Sequence, residues 1–333
     1  MEKGFKEFTR DNLPLVSVVI NFYNEAENIH MAPRSLSKQT YTNFEVILVD
    51  DCSTDQTANL ILANYGNKLQ KVVLLRNDKS LGLRPSRNIG VKHASGEIIV
   101  TLDLHTLFDC NFIARIVSVF VNDAKIGAVG SLIMDEGEKW FQRGMRALSV
   151  CLFSIRKKIK QYNYVFGTAA AYKAKALNEI GYLSENEIVE DTDASWKLSK
   201  NGWRVITDEN NVIFHKSPYQ SFRGFLSRIF ISGLRASHLL LQYPRKFFYP
   251  QFFLRLIILP VISLLLYLDI TFFSLLLIAY FLGLTLCLKF FHQKTLDSVS
   301  GTIVAFLLTF ISSFGLLYGL VKKLKKTNFS KYD

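Results

Sequence analysis

The sequence predicts an α/β protein: a mostly parallel sheet flanked by helices, then an interfacial helix and a C-terminal transmembrane helical region. Three observations lead there. Apolar, β-branched runs alternate with helix-like segments at βαβ spacing. Acids stand directly after two of those runs, at Asp50-Asp51 and Asp103, and a third acidic pair, Glu190-Asp191, opens a later helix-like stretch. Finally, 49% of the 333 residues are hydrophobic, and the excess sits after about residue 250.

Val16 to Ile20 is a continuous apolar run, the pattern of a parallel strand buried on both faces. Asn24 has the side chain of an N-cap, for a helix through about Ser37. Phe44 to Val49 repeats the strand pattern and ends at Asp50-Asp51; Ser53 or Thr54 then caps a helix from Gln56 to about Tyr65. Lys71 to Leu75 reads as a third strand. Leu81 to Asn88, punctuated by Gly and Pro, reads as a loop before a short helix to Ala94, and Glu97 to Leu102 as a fourth strand ending at Asp103. Residues 126–133 and 203–214 add strands, and 174–181 and 192–201 add helices. Sheets of this kind bind ligands beyond the carboxyl ends of their strands, which is where the acids stand.

Ser221 to Leu241 mixes aromatic and aliphatic residues with Arg223, Arg228, Arg235 and His238, a basic amphipathic helix suited to a membrane surface or, alternatively, an ordinary core helix. Apolar stretches follow at about 252–268, 270–288 and 301–321; the last two are long enough to cross a hydrocarbon layer of about 30 Å. Two or three crossings are expected. The organisation predicted is a catalytic domain over 1–218, a linker over 219–250 and a membrane region over 251–333. The net charge of +12 is carried largely by lysines and arginines flanking the apolar stretches, such as Arg245, Lys246, Lys322 and Lys323. That placement favours an anionic membrane over nucleic acid. Cys52, Cys110, Cys151 and Cys287 show no metal or disulfide spacing. The polar N-terminus carries no signal-peptide pattern, so the catalytic part is expected in the cytosol, at the plasma membrane.

The acids suggest specific chemistry. Asp103 and His105 are separated by one residue on the line of a strand, so both side chains can face one ion. An oxygen-plus-imidazole set suits Mn²⁺ better than Mg²⁺. His215, after the apolar run Val212 to Phe214, is either a third ligand or a buried, hydrogen-bonded histidine. Asp50 and Asp51 can accept hydrogen bonds from a ribose or base edge, or cap the following loop. Arg87, with Arg84, can neutralise a diphosphate. Glu190-Asp191 can supply a general base or simply favour a helix N-terminus. Trp196 is better read as a packing residue than as a sugar platform.

Taken in order, Val16 to Glu25, Val49 to Asp55, Gly82 to Gly96 around Arg87-Asn88, Leu102-Asp-Leu-His105 and Glu190-Asp191 resemble a family 2 glycosyltransferase of the succinoglycan-type subgroup, over roughly residues 14 to 218. The resemblance implies a GT-A, Rossmann-like fold. It implies that Phe22, Tyr23, Glu25 and Asp51 line a nucleoside pocket. Asp103 and His105 would hold a divalent metal on the donor diphosphate, with Asp191 as catalytic base for an inverting displacement. Asn21 stands where such families carry proline, and the Gln-x-x-Arg-Trp signature of processive synthases is absent. One sugar per acceptor is therefore expected, moved from a nucleotide-sugar to a lipid-linked saccharide. Glu190 would lie on the acceptor side, and Arg228 and Arg235 could meet lipid phosphates. The alternatives are a polyprenyl-phosphate sugar synthase, whose acceptor needs no base, and a non-catalytic membrane scaffold.

Overall fold

In the computed structural model of the chain, the described residues are 13–69, 71–159, 165, 167–185, 190–217, 220–242, 278–286, 289 and 295–324. The chain divides into two compact units, Met1–Met134 with Lys160–His215, and Asp135–Ile159 with Lys216–Asp333.

The first unit is built on the sheet. Strands β1 (Val16–Phe22), β2 (Phe44–Asp50), β3 (Val72–Arg76) and β4 (Ile98–Asp103) are parallel. They alternate with helices α1 (Ala32–Leu36), α2 (Thr57–Tyr65) and α3 (Leu83–His93). β5 (Thr106–Phe108), α4 (Phe112–Asn122), β6 (Ile126–Glu136), β7 (Ala169–Lys173), α6 (Ala174–Glu179), α7 (Glu190–Lys200) and β8 (Arg204–Lys216) complete the order, with α5 (Trp140–Ile159) between β6 and β7. The sheet runs β3-β2-β1-β4-β7-β6-β8-β5, and β7 joins β4 antiparallel, so the sheet is mixed.

Successive residues of β1, β2 and β4 point to opposite faces, and both faces are covered. Val18, Ile20, Val46, Leu48, Val100 and Leu102 share one core with residues of α1, α2 and α4. Val19, Ile47, Val49 and Ile99 share the other with residues of α3, α6 and α7. Double coverage is why these strands read as unbroken apolar runs rather than alternating ones. α3 lies close against the sheet because Gly90 has no side chain: a Cβ there would stand 2.4 Å from Val19 Cγ1.

Several local expectations are corrected. No helix runs from Asn24 to Ser37; a 3₁₀ turn (Ala26–Asn28) precedes α1. Asn24 has φ 52° and uses its side chain to hold the loop after β2. α2 has no Ser53 or Thr54 cap; Asp55 Oδ1 accepts from the Thr57 amide at 3.0 Å instead. The 81–88 segment is mostly helical, and places Arg84 and Arg87 on α3.

In the second unit, α5, α8 (Phe222–Gln242) and α9 (Thr295–Leu324) carry a cluster of Phe141, Leu148, Phe225, Ile229 and Val304. Arg143 of α5 and Asp297 of α9 pair at 3.1 Å. α8 and α9 approach at small residues: a Cβ on Gly233 would lie 2.0 Å from the Ser312 carbonyl oxygen, and one on Gly315 2.1 Å from that of Phe230. Such contacts are common where helices meet in a membrane. Phe225, Ile229 and Leu234 of α8 are buried, while Arg228 and Arg235 are exposed. α5 falls inside the domain expected over 1–218 yet belongs to this second unit.

Among the described residues one segment, Asp297–Tyr318, is long and apolar enough to cross a membrane. The 252–268 stretch lies outside the described residues, and of 270–288 only 278–286 is described, as helix.

Candidate active site at the strand ends

Register aligns the acids. Phe22 pairs with Asp50 and Asn21 with Asp103, so the C-terminal ends of β1, β2 and β4 share one edge of the sheet. β5 then pairs with β8 so that Thr106 stands opposite His215. A histidine more than a hundred positions downstream is thereby set beside His105, with ring centroids 4.5 Å apart.

Asp103, His105 and His215 offer ligand atoms that all lie within 4.8 Å of one another. His215 Nε2 is 3.6 Å from Asp103 Oδ2. His105 Nδ1 meets Glu25 Oε2 at 2.8 Å. If that nitrogen carries the proton, its lone pair for an ion is on Nε2. One carboxylate oxygen and two imidazole nitrogens match a divalent transition ion such as Mn²⁺ better than Mg²⁺.

Burial alone would raise the Asp103 carboxyl. His215, the Arg87 guanidinium and His105 outweigh it and bring the group down to about 2. A depressed carboxylate contributes stability that is complete above its unfolded value and is lost as pH falls through the folded one. We therefore expect about 2 kcal/mol of stability to disappear between about pH 4 and pH 2 in metal-free protein. Denaturant unfolding across that range checks it: Asp103→Asn should flatten the slope.

Arg87 is 3% exposed. Its guanidinium donates through Nη2 to Asp103 Oδ1 at 3.0 Å and through Nη1 to Glu190 Oε1. Although burial opposes its charge, Glu190 and Asp103 raise its pKa. The sequence reading placed Arg87 on a diphosphate; the structure spends both arms of the fork on carboxylates. Burial pushes the Glu190 carboxyl up, and Arg87 pulls against that shift. Glu190 Oε2 is buried without a hydrogen-bond partner among the described residues. Asp191, in the first turn of α7, accepts the Gly167 amide on Oδ2 at 3.1 Å and the Thr192 amide on Oδ1 at 2.7 Å.

The residues read as nucleoside contacts divide differently. Asp51 accepts from Asn77, Ser80, Ser86 and the Leu81 and Gly82 amides, at 2.7–2.9 Å. A carboxylate has about four lone-pair sites, so these donors fill it. Burial raises its pKa, and the hydrogen bonds more than reverse that. Asp51 organises the loop leading into α3. Asp50, 1% exposed, accepts the Ser53 amide at 2.8 Å and faces Arg76 at 3.6 Å. Phe22 is core, whereas Tyr23 is 48% exposed at the strand ends. Glu25 sits against His105. Asn21 is buried, with Nδ2 at 3.4 Å from the Leu83 carbonyl. Trp196 is half-buried, with Lys200 Nζ 5.2 Å from its ring centroid. Gly167 was not visible as a site residue, since nothing in its neighbourhood forms a motif; a Cβ there would lie 2.6 Å from Arg87 Nη1.

Residues 17–181 match the model of the family described as glycosyl transferase family 2. The chain carries a family 2 glycosyltransferase domain. The family 2 domain has a GT-A-like fold: a mannosyltransferase from Pyrobaculum calidifontis, solved with GDP-Man and Mn²⁺, superposes with a TM-score of 0.65 at 20% identity, covering 95% of this chain and 89% of that one. The poly-β-1,6-N-acetyl-D-glucosamine synthase of Staphylococcus aureus is 26% identical over 200 residues, 59% of this chain and 48% of its own length. The synthase of the same name from Staphylococcus epidermidis is 27% identical over 188 residues, 55% and 45% respectively. The chain thus spans about half the length of the curated relatives that it matches.

Proposed function

We propose that the chain is a membrane-anchored, inverting glycosyltransferase that moves one sugar from a nucleotide-sugar to a hydroxyl of a lipid-linked saccharide in cell-surface glycan assembly. The observation that carries the reading is a single guanidinium: Arg87 binds both Asp103, of the metal-capable group, and Glu190, beside Asp191. A donor site and an acceptor-activating carboxylate are thus held in one network. The family 2 domain supports sugar transfer, and Asp297–Tyr318 supports a membrane anchor. With the catalytic part on the cytosolic side, further crossings would come from the apolar residues before α9.

Asp103, His105 and His215 would hold the divalent ion, which supplies charge neutralisation to the departing nucleoside diphosphate. Tyr23 offers an exposed ring to the nucleoside. Asp191 takes the proton of the acceptor hydroxyl as that oxygen bonds to the anomeric carbon from the face opposite the leaving group. The bond from that carbon to the diphosphate oxygen breaks with its electron pair. Arg87 holds the two carboxylates in register.

A panel of donors tests this. It includes UDP-N-acetylglucosamine and GDP-mannose, after the similar synthase and the superposed mannosyltransferase. Purified full-length chain with Mn²⁺ and a lipid extract should release nucleoside diphosphate from one donor and add a single residue to a lipid product, seen by mass spectrometry. No release from any donor overturns the reading; a ladder of lengths overturns single addition.

A further inference from the structure

We infer that Glu25 is a positioning residue for the metal ligand His105, and not a contact of the nucleoside. The inference rests on the metal reading of Asp103, His105 and His215 given above. The convergent set of possible ligands among the described residues is those three, and Glu25 stands outside it. Its Oε2 instead meets His105 Nδ1 at 2.8 Å, with the two side chains only 21% and 24% exposed. An imidazole that donates one N–H to a carboxylate is fixed in tautomer and ring orientation, and its other nitrogen becomes a stronger donor.

The placement of Glu25 supports this role. Asn28 Nδ2 donates to the same Oε2 at 3.1 Å. The Glu25 amide donates to Thr57 Oγ1 at 2.9 Å, and the Ala26 amide to Asp55 Oδ2 at 3.2 Å. Asn24, in the left-handed region, accepts the Thr54 amide at 2.8 Å. The turn after β1 is therefore clasped to the loop after β2 on either side of Glu25. A surface ion pair would not require that support: its carboxylate would be free to change rotamer at little cost. Here the backbone carrying the carboxylate is held by three neighbours, which is what orienting a ligand to within a fraction of an ångström demands.

The consequence is a metal affinity that depends on a residue which never touches the metal. Mn²⁺ binding to the full-length chain in detergent, without donor or acceptor, is followed through the free-ion signal in electron paramagnetic resonance. Glu25→Leu should weaken binding by about 10- to 100-fold. Glu25→Gln keeps an acceptor oxygen for Nδ1–H, and should recover much of the loss. The nitrogen modulation of bound Mn²⁺ in pulsed spectra should show less imidazole in Glu25→Leu than in the parent protein. Thermal midpoints in EDTA report whether each variant is folded. Glu25 variants that bind Mn²⁺ as the parent does, while His105→Ala binds poorly, overturn this inference and leave the metal site standing. A parent protein that binds no Mn²⁺, or a His105→Ala variant that binds it equally well, overturns the metal site and this inference together.

Discussion

Asp191→Asn should lower the rate of sugar transfer by about 10²- to 10⁴-fold while donor binding stays within a fewfold of the parent protein. The substitution removes the basic oxygen and changes little else. Asp191 now accepts the Gly167 and Thr192 amides. An amide retains one acceptor oxygen, so the structural cost is about one hydrogen bond, ~1 kcal/mol. The measurement is kcat for nucleoside diphosphate release at saturating donor, with donor affinity taken separately by calorimetry. The size of the loss also separates two acceptors. A hydroxyl must lose its proton as it attacks, and needs the base. A lipid phosphate arrives already ionised, so a loss below about tenfold would point to a polyprenyl-phosphate sugar synthase instead.

Arg87→Met should destabilise the metal-free protein by about 3–5 kcal/mol, the usual cost of stripping the counter-charge from buried carboxylates. Arg87 is 3% exposed between Asp103 and Glu190. Arg87→Lys should recover only part of this, because an ammonium cannot serve two carboxylates with the geometry of a fork. Adding Glu190→Gln to Arg87→Met should restore stability relative to the single variant, a coupling that a double-mutant cycle reads directly. Denaturant unfolding in EDTA is the measurement. An Arg87→Met chain as stable as its parent would mean that the guanidinium is not clamped, and would return it to the diphosphate role first read from the sequence.

Those parts of the structure that depend on local pattern are legible in the sequence. The parallel strands and the acids at their ends were legible because each depends on local pattern, apolar runs for doubly covered strands and acids directly after them. Asp103 ends β4 as that pattern predicts, whereas His105 lies in the turn between β4 and β5, and it is the turn that brings its ring beside Asp103. The edge of that legibility is the fate of each acid's oxygens. Asp51, Glu25 and Arg87 were all read as ligand contacts. All three turn out to be engaged by the chain itself, through partners 16 to 103 positions away for Asp51 and Arg87 and 80 away for Glu25. No spacing rule reports such pairings. α4 could have been found, since Phe112, Ile113, Ile116, Val117 and Phe120 repeat at helical spacing and all are buried. β5 and β7 could not. They are three and five residues long, and exist because the sheet has places for them.

What the sequence determined by itself is the chemistry available: carboxylates and imidazoles near strand ends, a carboxylate pair at a helix start, and an apolar C-terminal quarter. These follow from side-chain type and short-range periodicity. What the tertiary structure decided is which of those groups remain available to a ligand. His215 joined the metal-capable group because β8 pairs with β5 in a register that sets it beside His105. The oxygens of Asp51 are occupied because the loop before α3 folds its donors onto them. The physical reason is the same in both cases. A buried polar group must find its partners within reach in three dimensions, and that reach is set by strand pairing and helix packing, not by distance along the chain.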